Sequence, residues 1–210
     1  MSLNKVILFG YSGHSLVVND CLGHNRIFGY FDNEEKNENP LDIKYLGVET
    51  EEDLSQFDNG VFVFPSIGNN ILRKKIRSHY LSFNMKETNA IHPSAVISRS
   101  VKLGLGTMIG PNAVLNAKAT IKNGVIVNSG VIIEHECTIH DYVHLAPGVV
   151  LAGNVTVEEL SFIGANTVIK EGVKIGKNVI VGAGSVVLND IPDNEMWFGL
   201  PAIKKKTLEK

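Results

Sequence analysis

A short segment near the middle of the chain combines the residue types that acid–base chemistry requires. Glu134, His135 and Glu136 stand in a row, and Gly153 follows His135 by eighteen positions. A histidine beside a carboxylate can take the proton of a nucleophile, and a bare backbone N–H can stabilise the oxyanion of a thioester. The pair predicts acyl transfer if the fold brings His135 and Gly153 together. His144, nine positions after His135, is a further candidate for the same site.

A repeat of period six explains why a spacing of eighteen matters. Every sixth residue from Ile91 to Val187 is aliphatic, and a small or β-branched residue stands four positions after each of them. This period fits neither an α-helix nor a plain alternating strand. It predicts a solenoid with six residues to each flat face, three faces to each rung, and about 4.8 Å between rungs. His135 and Gly153 are then neighbours, one rung apart on the same face.

The first ninety residues show a different pattern. An apolar run over 5–9 ends in Gly10–His14, an amphipathic stretch follows, and a second apolar run closes on Asp32. This order predicts a strand, a glycine turn, a helix, a strand and an acid, with ligands at the carboxyl ends of the strands. A third strand over 61–64 runs into Ser66–Gly68. We therefore expect a small α/β domain over residues 1–88 and a β-helix domain with a C-terminal tail over residues 89–210.

Two helix starts are predicted after the second strand. Asn70 is expected to cap the helix that follows Gly68, and Thr50–Leu54 has the composition of another helix start.

The glycine turn Gly10–His14 lacks the middle glycine of a dinucleotide fingerprint, so a plain strand-to-helix turn remains an alternative. A single nucleotide, as in a nucleoside-diphosphate sugar, suits the size of the domain. The N–H groups of Ser12, Gly13 and His14 could receive its phosphate.

Composition excludes several other classes of partner. The net charge of −2 gives no reason to expect nucleic acid or an anionic membrane, and no apolar run is long enough to span a bilayer. The first strand begins too soon for a signal peptide to precede it. Cys21 and Cys137 lie far apart in different patterns, which favours free thiols and a cytoplasmic location. Cys137 is expected to pack inward, and the segment 204–206 to be a solvated tail.

Several motifs of this chain resemble those of one family. They occur in the same order as in that family and cover nearly the whole chain. The family is that of sialic-acid O-acetyltransferases and UDP-amino-sugar N-acetyltransferases. The resemblance implies a left-handed parallel β-helix, a homotrimer with sites between neighbouring prisms, and acetyl transfer from acetyl-CoA to a nucleotide-linked amino sugar. No metal is implied. The motifs are Gly10–His14, Ile67–Asn70, Asn128-Ser129, Glu134–Cys137, Ala152–Asn154 and Gly199–Ala202.

The resemblance also implies roles for individual residues. His135 would be the general base, Glu136 its orienting carboxylate, and Gly153 the oxyanion donor. His144 would contact the acetyl group or the incoming amine. The acetyl-CoA contacts implied are Gly153, Gly164, Ala165, Gly182, Ala183 and Pro201. The acceptor contacts implied are Gly10, Ser12, Gly13, His14, Asp32, Asn33, Ile67, Gly68 and Asn128.

Three other functions stay open at this point. O-acetylation of a free sialic acid is the closest alternative, since the sequence does not distinguish an amine from a hydroxyl acceptor or choose the nucleotide. A zinc β-helix of the γ-carbonic anhydrase type would use His135, His140 and His144, although their different places in the repeat point them from different edges. A non-catalytic nucleotide-sugar sensor is the third.

Overall fold

The computed structural model describes residues 5–23, 26–48, 54–57 and 60–209. The N-terminal part is a parallel five-stranded sheet in the order β3-β2-β1-β4-β5. Its strands are β1 (Lys5–Phe9), β2 (Ile27–Phe31), β3 (Lys44–Tyr45), β4 (Val61–Pro65) and β5 (Lys86–Glu87). Its helices are α1 (Gly13–Leu22) and α2 (Asn70–Ser82), with a 3-10 turn at Leu54–Gln56.

Both faces of this sheet are covered, which is why its strands are apolar runs. Val6 and Leu8 pack with Val18 of α1, whereas Ile7 and Phe9 pack on the other face with residues of α2. The predicted order of strand, turn, helix, strand and acid is confirmed.

One detail of the α/β part differs from the prediction. The cap of α2 is Asn69, whose side-chain oxygen accepts the N–H of Leu72 at 3.0 Å, one residue before the expected Asn70. Asn70 instead donates its amide to the carbonyl of Leu160 in the second part of the chain. Most of the predicted helix start at Thr50–Leu54 lies outside the described residues.

The second part is a three-sided prism of two-residue strands. Strands eighteen residues apart pair in parallel, as Val114 does with Ile132 and Ile132 with Val150. Its strands are β6 (Ala90–Ile91), β7 (Val96–Ile97), β8 (Lys102–Leu103), β9 (Met108–Ile109), β10 (Val114–Leu115), β11 (Thr120–Ile121), β12 (Ile126–Val127), β13 (Ile132–Ile133), β14 (Thr138–Ile139), β15 (His144–Leu145), β16 (Val150–Leu151), β17 (Thr156–Val157), β18 (Phe162–Ile163), β19 (Val168–Ile169), β20 (Lys174–Ile175), β21 (Ile180–Val181) and β22 (Val186–Val187).

Three sheets form the three faces of the prism. Face A contains β6, β9, β12, β15, β18 and β21, and it is extended by the hairpin β23 (Glu195–Gly199) and β24 (Ala202–Thr207). Face B contains β7, β10, β13, β16, β19 and β22, and face C contains β8, β11, β14, β17 and β20. The chain passes from A to B to C in each rung, so corners A/B, B/C and C/A recur. The hexapeptide β-helix is as predicted. Segment 204–206 is exposed to solvent as expected, but it belongs to β24.

The second residue of each strand points into the prism. From Ile109 to Val187 these residues form one buried core, together with the small residues of the repeat such as Cys137. The first rung is an exception, because no rung lies beneath it. Ile91 is 36% exposed there, and Ile97 and Leu103 are only partly buried, so the predicted inward stripe is incomplete at this end.

The corners have a regular backbone conformation. A residue with φ near +60° occurs at every sixth position from Gly106 to Gly184. Glycine and asparagine hold most of these positions, as the sequence predicts. The other four positions hold residues that rarely adopt this conformation, namely Lys118, Glu136, Tyr142 and Leu160.

The α/β part is docked on face A and corner C/A. Helix α1 packs on the outward residues Ala90, Met108 and Ile126 of face A. Helix α2 lies against corner C/A, where Lys74 forms an ion pair with Glu159 at 2.6 Å. Within the described ranges, no helix is long and apolar enough to cross a membrane.

Candidate active site

His135 lies on corner B/C, directly below Gly153 of the next rung. A Cβ atom added to Gly153 would lie 2.5 Å from Cε1 and 2.8 Å from Nε2 of the imidazole. The ring therefore occupies the space that any side chain at position 153 would fill. The N–H of Gly153 donates to no group among the described residues. The predicted neighbours are thus in contact, with a free N–H beside the imidazole.

Glu136 supports the imidazole from the other side. Its Oε2 lies 3.4 Å from Nδ1 of His135, and its Oε1 lies 3.4 Å from Nζ of Lys118 one rung below. The hydrogen bond from Lys118, and next that from His135, hold the pKa of Glu136 below its ordinary value. When Nδ1 donates its proton to Glu136, the lone pair of His135 is on Nε2, next to Gly153. Both side chains are about half exposed, so a substrate could reach them.

His144 is not part of this corner within one chain. It belongs to β15 on face A, where Nδ1 lies 3.3 Å from the carbonyl oxygen of Gly68 and the ring meets that of Phe162 edge-on. Burial, followed by the positive charge of Arg73, lowers its pKa to about 4. His144 is therefore neutral near pH 7. Because it contacts the α/β domain within one chain, its predicted contact with the acetyl group or the amine stays a prediction.

His14 lies beside His144 in the same joint. The two ring centroids are 6.5 Å apart, and burial, again followed by Arg73, lowers the pKa of His14 to about 4 as well. The Nε2 atoms of both rings are buried without a hydrogen-bond partner among the described residues. The His14 side chain thus lies in the joint between the α/β part and the prism, and the predicted contact of its backbone N–H with the acceptor stays a prediction.

The residues predicted to bind acetyl-CoA occupy two different corners. Gly153 is on corner B/C, whereas Gly164-Ala165 and Gly182-Ala183 follow strands of face A and lie on corner A/B. Asn128 is also on corner A/B, and its side-chain oxygen accepts the N–H of Ser129. Pro201 is in the hairpin beyond face A. Within one chain, face B separates the two sets.

Most of the predicted acceptor residues line one cavity of about 170 Å³ at the carboxyl ends of β1, β2 and β4. Asp32 shapes this cavity, because its carboxylate accepts the N–H of Tyr11 at 2.8 Å and that of Asn33 at 2.7 Å. Ser12 uses its own N–H internally, in a bond to Oγ of Ser15. The predicted residues that the cavity brings together are Gly10, Ser12, Asp32, Asn33, Ile67 and Gly68.

A second cavity of about 420 Å³ adjoins the first, with Tyr11 and Ser12 lining both. Gly13 lines it at the start of α1, and Lys36 lines it as well. Nζ of Lys36 lies 3.3 Å from Asp32. Sequence reasoning did not select Tyr11 or Lys36; the signal for Lys36 is its place four residues after the acid.

The three histidines of the zinc alternative lie apart. His135 is on corner B/C, His140 on corner C/A, and His144 on face A. No group of three or more potential ligands for a metal occurs in the part of the chain that the structure describes.

Both parts of the chain match known families. The PglD N-terminal domain family matches residues 5–80, and the bacterial transferase hexapeptide (six repeats) family matches residues 118–153 and 154–189. PerB from Caulobacter crescentus, solved in complex with CoA and GDP-perosamine, is 33% identical over 98% of this chain and 99% of its own, with a TM-score of 0.90. The chain belongs to the PglD/NeuD-type family of acetyltransferases. A comparison with curated protein sequences gives no match.

Two further structures resemble this acetyltransferase over nearly its whole length. The acetyltransferase domain of PglB from Neisseria gonorrhoeae, in complex with acetyl coenzyme A, is 28% identical, covers 96% of this chain and 99% of its own, and has a TM-score of 0.90. A histidine-to-alanine variant of GDP-perosamine N-acetyl transferase from Caulobacter crescentus, in complex with CoA and GDP-perosamine, is 32% identical over 98% of both chains, again with a TM-score of 0.90.

Proposed function

We propose that this acetyltransferase transfers the acetyl group of acetyl-CoA to the amino group of a sugar linked to a nucleoside diphosphate, with His135 as general base. The contact between the His135 imidazole and Gly153 carries the proposal, because it joins a base to a free N–H. The bound CoA and GDP-perosamine of PerB support both substrate classes.

The reaction follows from the two groups on corner B/C. The amine nitrogen attacks the thioester carbonyl, and Nε2 of His135 takes the proton that the amine loses. The carbonyl oxygen becomes an oxyanion, and the N–H of Gly153 stabilises it. Collapse of this intermediate breaks the C–S bond, and the CoA thiolate leaves with the proton that His135 returns. Glu136 keeps the imidazole in the required tautomer.

The two cavities of the α/β domain are proposed to hold the nucleotide. The N–H groups of Gly13 and His14 at the start of α1 donate to no acceptor among the described residues, and neither does the N–H of Gly68. Free N–H groups at a helix start favour an anion. On this basis residues 1–88 bind the nucleotide sugar and residues 89–210 bind acetyl-CoA. The buried free thiols of Cys21 and Cys137 support a cytoplasmic location.

A single chain does not bring its own acceptor cavity to its own base. The α/β domain is docked on face A and corner C/A, whereas His135 is on corner B/C, away from face A. The acetyl-CoA residues are divided in the same way between corners A/B and B/C. In a cyclic trimer, corner B/C of one copy can meet face A of the next. We therefore propose a homotrimer in which each site takes its base and its acceptor cavity from different copies.

The outward residues of face B support this assembly. They are aliphatic in every rung, and Val96 and Val168 are 62% and 42% exposed. Face C, in contrast, presents lysine and threonine. An aliphatic face that runs the length of the prism gains free energy from burial against another copy. The outward residues of face B are Val96, Val114, Ile132, Val150, Val168 and Val186.

Acetyl transfer to a panel of UDP-, GDP-, dTDP- and CMP-linked amino sugars tests the reaction. His135→Ala should reduce turnover by at least about 100-fold and leave CoA binding intact. His140→Ala, one corner further on, is the matched control and should retain activity. Turnover that survives His135→Ala with a loss of only a few fold would rule out His135 as the base. Acetylation of a hydroxyl group would contradict the proposed amine acceptor.

Mixed trimers test the shared site. His135→Ala removes the base, and Gly68→Val fills the acceptor cavity, since a Cβ at Gly68 meets no protein atom within 4 Å. Each variant alone should be inactive. Trimers that contain both, isolated through two different tags, should recover about a third of the activity, because in a cyclic trimer of the two variants one of the three sites combines two intact halves. Inactive mixed trimers would mean that each site belongs to one chain.

A further inference from the structure

Arg73 is a buried arginine that joins the acceptor cavity to the prism. It lies in the first turn of α2 and is 1% exposed. On the prism side, Nε donates to the carbonyl of Gly124 at 2.8 Å and Nη2 to that of Tyr142 at 3.0 Å. On the cavity side, Nη1 donates to the carbonyls of Ile67 at 2.9 Å and Gly68 at 3.1 Å. The guanidinium thus holds four backbone carbonyls from both parts of the chain.

The role of Arg73 is not that of an ion-pair partner. Among the described residues, no carboxylate lies within ion-pair distance of it, and its remaining contact is the side-chain oxygen of Asn70 at 2.9 Å. A buried cation without an acid is costly, so a role in the fold or the site is expected to offset that cost. Arg77, one turn further along α2, provides the contrast, since it forms a two-point ion pair with Glu87.

The contacts of Arg73 fix the direction of two peptide groups. A trans peptide places its N–H on the side opposite to its carbonyl. Because the carbonyls of Ile67 and Gly68 point to Arg73, the N–H groups of Gly68 and Asn69 point away from it. Neither N–H has an acceptor among the described residues, and Gly68 lines the acceptor cavity. His144 contacts the same Gly68 carbonyl from face A.

We propose that Arg73 is a positioning residue for the diphosphate of the acceptor: it holds the peptides that follow Ile67 and Gly68 so that their N–H groups face the anion. The inference rests on the proposed function, because it takes a nucleoside diphosphate as the ligand of this cavity. Arg73 does not touch the ligand. A lysine cannot replace it, because one ammonium group cannot reach carbonyls on both sides of the joint in the fixed geometry of a guanidinium.

The test compares Arg73→Lys with Arg77→Lys. Both changes keep the charge and both affect the joint of α2 with the prism, but only the first releases the Ile67 and Gly68 carbonyls. Binding of GDP and UDP is measured by calorimetry beside that of guanosine and uridine. Arg73→Lys should lower the affinity for the diphosphates by at least about tenfold and that for the nucleosides by less than about threefold. Arg77→Lys should leave the ratio of the two affinities unchanged.

Kinetics and amide resonances give independent readouts. Arg73→Lys should raise the KM for the nucleotide sugar and leave the KM for acetyl-CoA unchanged. In the unaltered protein, GDP or UDP should shift the amide signals of Gly68 and Asn69, whereas the nucleosides should not; this measurement needs no variant that could misfold. Equal weakening of nucleosides and diphosphates in Arg73→Lys, an equal effect of Arg77→Lys, or unshifted amides would overturn the proposal.

The same experiment separates this inference from the proposed function. If the protein transfers acetyl groups but the ratio of diphosphate to nucleoside affinity does not depend on Arg73, the inference is contradicted and the proposed function is not. Diphosphate binding that depends on Arg73, without acetyl transfer to any sugar of the panel, would support the inference and contradict the function.

Discussion

The imidazole of His135 lies against a corner residue that has no side chain, Gly153. Alanine stands at the same place of the repeat at positions 117, 165 and 183, so the corner backbone tolerates a Cβ atom. What a Cβ at Gly153 would meet is the imidazole itself, at 2.5 Å. The glycine is therefore required by the position of His135 and not by the backbone.

Gly153→Ala should separate activity from stability. The added methyl group displaces the imidazole, and we expect kcat to fall by at least about tenfold while the thermal unfolding temperature stays unchanged. Steady-state kinetics and thermal unfolding check the two parts. Glu171→Ala, one rung further along corner B/C, is the control and should retain activity. A fully active Gly153→Ala variant would show that the contact is not part of the site.

Glu136 combines an unfavourable backbone conformation with a chemical role. Its φ of 62° is one that glycine adopts without strain. Glu136→Gly should therefore not lower the unfolding temperature, although it removes the carboxylate that orients His135. Activity should fall, and Glu136→Gln, which keeps a hydrogen-bond acceptor with the same backbone strain, should retain more of it. Equal activity of the two variants would contradict the orienting role.

The sequence predicts one part of the site far better than the other. His135 and Gly153 are paired by a repeat, so counting eighteen residues is enough to bring them together. The environments of His144 and Arg73 depend on how the α/β domain docks on the prism, and no local pattern encodes that. The contact of His144 with Gly68 on face A is therefore seen only in the structure, and its predicted contact with the acetyl group or the amine stays a prediction.

The elements of the α/β domain were predicted where their patterns are long. β1, β2 and β4 are apolar runs and α1 and α2 are longer stretches with spaced apolar residues, whereas β3 and β5 are two residues each and give too little signal. The cap of α2 was predicted one residue late because Asn69 and Asn70 are both good caps. Only the structure shows that Asn70 is engaged with the prism.

The first turn of α1 gives a test of the acceptor site that spares the fold. A Cβ at Gly13 meets no protein atom within 4 Å, and the residue opens into the larger cavity. Gly13→Leu should raise the KM for the nucleotide sugar by about tenfold and leave that for acetyl-CoA unchanged, while helix propensity maintains stability. Initial-rate kinetics with each substrate varied in turn measure both constants.

The control for this change lies at the other end of the same helix. Asp20→Leu alters an exposed residue of α1 and should leave both constants unchanged. If Gly13→Leu raises both KM values equally, or leaves the KM for the nucleotide sugar unchanged, the acceptor binds elsewhere.

At the scale of the whole molecule, the joint between the α/β domain and the prism should be sensitive to acid. His14 and His144 are buried there beside Arg73, each with a pKa lowered to about 4, chiefly by burial. In the unfolded chain they titrate near their ordinary value of about 6.5. Between these values the unfolded state binds more protons, so the free energy of unfolding falls as the pH falls from about 6.5 to about 4. The slope is at most about 1.4 kcal/mol per pH unit for each histidine.

Denaturant unfolding at several pH values measures this slope. Replacing both histidines by glutamine should flatten the curve between pH 4 and 6.5, whereas His92→Gln, at the open end of the prism, should not. A curve that stays equally steep without His14 and His144 would assign the acid sensitivity to other groups.

The stacked rungs also make the prism a molecular ruler. Each rung adds about 4.8 Å along the axis, so the distance from His135 to the hairpin that contains Pro201 is set in whole steps by the number of rungs between them. Only insertions or deletions of eighteen residues keep every later side chain on its own face; a change of six or twelve rotates all of them to another. An inserted rung after β17 would leave His135 and Gly153 in contact while moving the hairpin one step away. With Pro201 as the proposed contact at the far end of acetyl-CoA, the number of rungs would set the length of coenzyme that fits.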